Sequence, residues 1–235
     1  MNIFEDISGG RVLDVATGRG GSAKFLAENL QDFTEIIGVD PVERHIHIAR
    51  DAVDRENVHF MPMDGKQLGF ANERFDTACI FNSLHHLANL PHVLGEMLRV
   101  LRPGARFILS EMYHDGEQTA PQLTAIYMHH WAAEIDTAQG FTHNPTFTRQ
   151  EIVDIVAGLN LHGPTFHDHY AGPDSDPKDE ERLKGCDEVI DRCIQRAEGL
   201  PNYETLKQRG EALRERLHDV GTHGATRIVV VGEKE

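Results

Sequence analysis

Cysteine and basic side chains are both scarce in this 235-residue chain, and each scarcity removes a class of function. Of the three cysteines, Cys79 lies in an apolar run, while Cys186 and Cys193 stand seven apart in a helical segment. No Cys-x-x-Cys pair is present, which excludes a disulfide framework and a zinc knuckle and leaves reduced structural thiols. Lys and Arg number 23 against 38 Asp and Glu, for a formal charge of −15. A surface so poor in cations does not release counterions from nucleic-acid phosphates, so the expected partner is a small molecule or a protein and not nucleic acid. No apolar run reaches bilayer length, and the opening MNIFEDISGGR carries acids where a signal peptide carries positive charge. A soluble, cytoplasmic protein without membrane contact is the expectation.

What the chain has in quantity is alternation. From Arg11 to Ile108, short apolar runs alternate with amphipathic stretches at β-α-β spacing. Arg11–Ala16, Glu35–Asp40, Val58–Met63, Phe75–Phe81 and Ala105–Met112 read as strands, with helices near Ser22–Leu30, Pro41–Asp54 and Leu90–Leu101. Strands that are apolar on both faces belong in a parallel sheet covered by helices, an α/β architecture. Arg102-Pro103-Gly104 is expected to stop the third helix and turn the chain into the fifth strand.

Beyond Met112 the pattern changes. The polar break HDGEQTAPQ precedes a predicted helix over Leu123–Thr137, and QGFTHNP separates it from Thr148-Arg149-Gln150-Glu151. That quartet is a capping box, in which hydroxyl and carboxylate satisfy free amides at a helix start. A strand around His162–Tyr170, the acidic turn AGPDSDPKDEE, two helices and a last strand Thr226–Gly232 follow. In the two helices Leu183, Cys186, Ile190, Cys193 and Ala197, then Leu206, Gly210, Leu213, Leu217 and Val220, recur at spacings of three and four. Each helix therefore has one narrow seam, and the short GLPN connection makes them an antiparallel hairpin. The hairpin packs on its own domain in the simplest reading; the alternative is a lid or a homodimer contact. The organisation expected is one domain over 1–235, with an insert at 113–147 as substrate-cap candidate and the hairpin insert at 171–224.

The stretch Val12-Leu13-Asp14-Val15-Ala16-Thr17-Gly18-Arg19-Gly20-Gly21 is a strand running into a glycine turn. A Walker loop would end in Gly-Lys-Ser/Thr, but the chain continues Ser22-Ala23-Lys24. The dinucleotide fingerprint is matched by Gly18, Gly20 and Ala23, with Asp40 where a ribose-binding acid would stand. Asp14 speaks against it, because a carboxylate four residues before Gly18 would repel a pyrophosphate.

VLDVATGRGG resembles the first motif of class I S-adenosylmethionine-dependent methyltransferases, close to VLDxGxGxG. A sulfonium cofactor carries positive charge and no phosphate, which suits Asp14. Ile37-Gly38-Val39-Asp40 resembles the family's second-strand end, and Phe60-Met61-Pro62-Met63-Asp64-Gly65 its third-strand motif. Phe75-Asp76 with Phe81-Asn82-Ser83-Leu84-His85-His86-Leu87 is similar to the fourth-strand motif of small-molecule members, including those of quinone biosynthesis, and Arg99–Gly104 to their RVLKPGG signal. The resemblance covers most of residues 11–112. It implies a doubly wound, seven-stranded, mostly parallel sheet (a Rossmann-like methyltransferase fold) with an antiparallel last strand and helical insertions. It also implies S-adenosylmethionine as cofactor, S-adenosylhomocysteine as product, and binding by Asp14, Ala16, Thr17, Gly18, Gly20, Asp40, Pro41, Asp64, Gly65, Asn82 and Ser83. Within that set Asp40 would accept from both ribose hydroxyls and Asp64 would meet the adenine amino group. The plainer readings are a tight turn at Gly18 and Gly20, a helix N-cap at Asp40 and an ordinary turn at Asp64-Gly65. Ala16 and Thr17 replace the commoner Gly and Cys. With ten residues before the first strand, cover for the methyl group is expected from the insert or the hairpin.

Histidine is abundant, at fifteen residues. His114, His129, His130 and His143 fall in the insert with Trp131, Glu134 and Asp136. On a helix His130 and Glu134 share a face, with His129 turned about 100° away. Methyl transfer is an in-line displacement in which alignment supplies much of the acceleration, and a base is needed where the acceptor atom holds a proton. The expected catalytic set is His86, at the fourth-strand end, with His130 and Glu134. Backbone hydrogen bonding by His85 and His86 is the plain alternative. No third-ligand spacing accompanies the helix histidines, so no metal is expected. Trp131 reads as an anchor of the insert, or else as an aromatic wall over substrate. The expected function is methyl transfer to an O, N, S or C atom of a small molecule. The alternatives are an NAD(P)-dependent oxidoreductase and a non-catalytic cofactor-binding or scaffold protein.

Overall fold

The computed structural model describes residues 3–170 and 175–235. The first four residues of the acidic turn, 171–174, lie outside them, as does the start of the expected hairpin insert. The chain divides into two compact units: Met1–Glu111 with Asp154–His167 and Val229–Glu235, and Met112–Val153 with Asp168–Ile228.

The first unit is built on a seven-stranded sheet. Strands β1 (Arg11–Val15), β2 (Glu35–Asp40), β3 (Val58–Pro62), β4 (Phe75–Phe81), β5 (Leu101–Met112), β6 (Leu161–His169) and β7 (Arg227–Lys234) stand in the order β3-β2-β1-β4-β5-β7-β6. β1 to β5 pair in parallel, and β7 runs antiparallel between β5 and β6. This is the doubly wound sheet that the resemblance implies. The chain winds outward from β1 to β3 and then resumes at β4 on the other side of β1. The reversal falls between β1 and β4, and open α/β sheets bind ligands outside the carboxyl ends of the strands at such a point.

Helices α1 (Gly21–Asn29) and α2 (Glu43–Ala52) cover one face. Their Ala23, Leu26, Ile46 and Ala49 pack with Val12, Ile36, Val58, Phe60, Cys79 and Ile108 from the strands. Alternation sends Leu13, Val15, Ala78 and Ile80 to the opposite face. There α3 (Leu90–Val100) buries Val93, Leu94, Met97 and Val100. Each fully buried Leu or Ile contributes roughly 1.5–3 kcal/mol, so both faces of the central strands are committed to core.

Several boundaries differ from expectation. β5 begins at Leu101 rather than Ala105, and its register against β4 jumps from Phe75↔Leu101 to Thr77↔Arg106. The Arg102-Pro103-Gly104 stretch is thus an irregularity within the strand, with Gly104 at φ +70°, where the missing proline N–H breaks no ladder. Helix α2 begins at Glu43 rather than Pro41, because the Asp40 carboxylate accepts from the Val42 N–H at 3.0 Å and holds residues 40–42 as a turn.

In the second unit α4 (Ala120–Ala138), α6 (Glu180–Ala197) and α7 (Tyr203–Val220) form one bundle. Its core is Met128, Trp131 and Ile135 from α4 with the seam residues Ile190, Cys193, Ala197, Leu206 and Leu217. The hairpin seams are therefore filled by α4. Trp131 is 1% exposed and donates its indole N–H to the Leu206 carbonyl at 3.0 Å, which makes it the anchor. α4 starts three residues earlier than predicted because Thr119 and Gln122 form a capping box of their own. The predicted box at Thr148 and Glu151 opens α5 (Arg149–Ala157).

Candidate active site

The turn after β1 is organised from beneath by Asp14. Its side chain is fully buried, and one carboxylate oxygen accepts from the hydroxyls of Thr17 and Ser22, both at 2.5 Å. Burial pushes its carboxyl up to about 6, against the lowering effect of those two hydrogen bonds. Asp14 thus builds the turn from below, where the sequence pointed to a charge facing the ligand. Ala16 stands in the left-handed region at φ +57°, the conformation that explains the commoner glycine there. The Thr17 N–H donates to Val39, joining the turn to β2.

Gly18 and Gly20 are needed for different reasons. Gly20, at φ +85°, lies so close to α2 and β3 that a Cβ would stand 3.0 Å from the Ala49 methyl and 3.2 Å from the Phe60 ring. Gly18, at φ +53°, has nothing within 4 Å of its Cβ position. It leaves open room above the turn for the close approach of another molecule. Its N–H donates at 3.1 Å to Oδ2 of Asp40, whose Oδ1 accepts from Val42 and lies 3.2 Å from Nδ1 of His45. Asp40 is thereby fixed at the end of β2 with its carboxylate beside the turn. Pro41 next to it is exposed.

Asp64 is half exposed at the end of β3; it accepts from the Lys66 N–H at 2.9 Å and pairs with the Lys66 ammonium at 3.2 Å. These Lys66 contacts hold its carboxyl below the usual carboxylate range. Gly65 lies close to Val15 and Val93, each 3.2 Å from its would-be Cβ.

At the end of β4 the backbone is strained. Asn82 adopts φ +46°, and its side-chain oxygen is buried without a hydrogen-bond partner among the described residues. A left-handed non-glycine residue costs roughly 1–3 kcal/mol, and a buried unpaired acceptor a further 1–3 kcal/mol. Both costs at one residue mark a position adapted to something other than stability. Ser83 bonds the Phe81 carbonyl at 2.8 Å and the Ala16 carbonyl at 3.4 Å, tying β4 to the β1 turn. A 3₁₀ turn at Leu84–His86 follows. Its His85 is 1% exposed and meets Glu111 of β5 through Nδ1 at 2.9 Å, while the other Glu111 oxygen accepts from the Leu84 N–H at 2.8 Å. His86 is exposed and its ring stacks at a tilt on His85, centroids 4.3 Å apart.

In the second unit the expected His130–Glu134 pair is not formed. Glu134 turns to Arg209 of α7 at 2.5 Å and to Asn202, whereas His130 Nε2 lies 2.8 Å from the Thr146 hydroxyl. The stronger guanidinium partner draws the carboxylate across the bundle.

Residues 12–104 match the family described as a methyltransferase domain. That segment, from β1 to the start of β5, is thus similar to methyltransferase domains. Relatives include a 2-phytyl-1,4-naphtoquinone methyltransferase of Synechococcus elongatus, 28% identical over 135 residues covering 56% of this chain and 58% of that one. A second is the ubiquinone/menaquinone biosynthesis C-methyltransferase UbiE of Geobacter sulfurreducens, 35% identical over 109 residues, 44% of this chain and 42% of that one. The chain thus spans about half the length of the curated relatives it matches. Among solved structures, the YcgJ protein of Bacillus subtilis superposes with a TM-score of 0.61 at 20% identity, over 99% of this chain and 94% of that one, which shows a shared fold.

Within the matched segment, the predicted residues Asp14, Ala16, Thr17, Gly18, Gly20, Asp40 and Ser83 are joined by hydrogen bonds into one constellation, and Asn82 adjoins it only as the chain neighbour of Ser83. Sequence reasoning missed Ser22, which shares the Asp14 carboxylate, and Glu111 beyond the matched segment. Glu111 carried the same signal as Asp14, an acid inside an otherwise apolar strand.

Proposed function

We propose that the protein transfers a methyl group from S-adenosylmethionine to an O, N, S or C atom of a small-molecule acceptor. The observation that carries this reading is the unpartnered, buried Asn82 oxygen in a strained backbone, within the segment that matches a methyltransferase domain and tied through Ser83 to the glycine turn. When bound, the cofactor supplies an electrophilic methyl group on a cationic sulfur. Gly18 leaves room for it, Asp40 accepts from the ribose hydroxyls, Asp64 meets the adenine amino group, and Asn82 accepts a hydrogen bond from the ligand. Ala16, Thr17, Gly20, Pro41, Gly65 and Ser83 shape the walls, and Asp14 holds the turn in place.

For an acceptor that carries a proton, the base is the His85–His86 pair. The Glu111 carboxylate accepts from His85 Nδ1–H, which leaves Nε2 as the basic nitrogen. His130 stays a candidate base, tested by the pH–rate profile of His130→Ala, whereas Glu134 is committed to Arg209. Two relatives are named as quinone methyltransferases, so hydroquinones are the first acceptors to assay. A cytoplasmic location belongs to the same reading, and so does a homodimer through the outward face of the hairpin, where Val189 is exposed. Light scattering tests the dimer. No described helix is long and apolar enough to cross a membrane.

Calorimetry with S-adenosylhomocysteine and with NAD(P) decides the main point. Binding of the first and not of the second is expected. Nicotinamide binding without adenosylhomocysteine binding would overturn the reading.

A further inference from the structure

Three residues around the end of α4 form a polar chain the methyl-transfer reading does not use. Asp136 Oδ2 lies 2.6 Å from Nδ1 of His143, and its other oxygen accepts from Arg196. On the far side of the same ring, His143 Nε2 stands 3.1 Å from Nε2 of His129. The two imidazoles meet edge to face, with centroids 4.7 Å apart and planes at 71°. An ionised carboxylate only accepts, so the proton of His143 sits on Nδ1 and the Nε2 lone pair is aimed at the second imidazole. A lone pair so placed either accepts a hydrogen bond from His129 or shares a cation with it.

We propose that His129 and His143 hold a divalent transition-metal ion of the zinc class through their Nε2 atoms, with Asp136 orienting His143. Two nitrogens 3.1 Å apart, each about 2.0–2.1 Å from a common ion, subtend about 100° at the ion, between the octahedral and tetrahedral angles. Imidazole donors suit zinc, copper or nickel and not calcium or magnesium. A carboxylate on the other ring nitrogen of a ligating histidine is the usual support for such a site, because it fixes tautomer and orientation. Arg196 in turn fixes the carboxylate. The remaining coordination positions take water or an oxygen-bearing ligand. The expectation of no metal rested on α4 lacking a partner spacing; the second ligand comes instead from beyond the helix. Thr137 pins that loop by donating to the His143 carbonyl at 2.9 Å.

The test uses the metal-stripped full chain titrated with ZnCl₂ by calorimetry and with CoCl₂ by visible absorption. One equivalent is expected to bind, with a cobalt d–d band. His129→Ala and His143→Ala should each weaken binding at least about tenfold, and Asp136→Asn by roughly 10-fold. His47→Ala, an exposed histidine on α2, should change nothing. If the histidine variants lose their circular dichroism, proton NMR of the cobalt-loaded wild type replaces them, and two contact-shifted imidazole N–H signals are expected. A folded His129→Ala/His143→Ala double variant that binds like wild type, or a cobalt complex with fewer than two such signals, overturns the proposal. Neither readout depends on methyl transfer, so failure here leaves the proposed function standing.

Discussion

The backbone N–H of Gly18 donates to Oδ2 of Asp40 at 3.1 Å, so the turn after β1 and the end of β2 are held as one piece. Asp40→Asn keeps the shape and removes the charge that strengthens this bond and the proposed bonds to a ribose. A charged hydrogen bond is worth roughly 1.5–3 kcal/mol, so adenosylhomocysteine affinity should fall about 10- to 100-fold in a calorimetric titration. Unchanged affinity would remove Asp40 from the binding set.

Asp14 makes stability depend on pH. Its folded-state carboxyl titrates near 6, above the ordinary 3.8. The folded chain therefore holds this proton more tightly than the unfolded one. The stabilisation is fully present below the unfolded value and is lost as pH rises through about 6. Asp14→Asn has no such titration. The stability of wild type relative to that variant should fall by about 2 kcal/mol between pH 4 and pH 7, read from urea denaturation at the two pH values.

Asn82→Gly separates stability from binding. It removes both the left-handed strain and the unpaired oxygen. The folded state should gain about 1 kcal/mol or more, visible as a higher thermal midpoint. The same change should weaken adenosylhomocysteine binding. A variant with both properties unchanged would show that Asn82 carries no functional strain.

Glu111→Gln leaves a hydrogen-bonding side chain beside His85 but takes away the charge. With a hydroxylated acceptor, kcat should drop roughly 10- to 100-fold with KM little altered, and the acidic limb of the pH–rate profile should move. A merely structural Glu111 would leave that limb in place.

Gly210→Ala tests the second unit. A Cβ there would stand 2.6 Å from the Trp131 ring. Overpacking of this kind costs about 1–3 kcal/mol. Because Trp131 is the sole tryptophan, its fluorescence reports the loss directly in a denaturation curve.

The architecture was legible because it rests on local periodicity. β2 and β4 begin and end where their apolar runs do, and the capping box at Thr148 and Glu151 opens α5 as its side chains require. The seams of α6 and α7 were readable for the same reason, although their partner α4 was not. The glycine turn was legible too, since Gly18 and Gly20 answer to backbone angles that no other residue adopts as cheaply.

Sequence by itself determined the strands β1, β2 and β4 and the residues at their carboxyl ends, because strand limits and turn chemistry follow from patterns a few residues long, while their order in the sheet was implied only by the family resemblance. Only tertiary structure decided what those residues touch. It put Asp14 beneath the turn, gave Glu134 to Arg209, and brought Glu111 to His85 and His143 to His129. Those partners lie 8, 75, 26 and 14 positions apart. A carboxylate selects among the donors that packing brings within 3 Å, and no local periodicity encodes that choice.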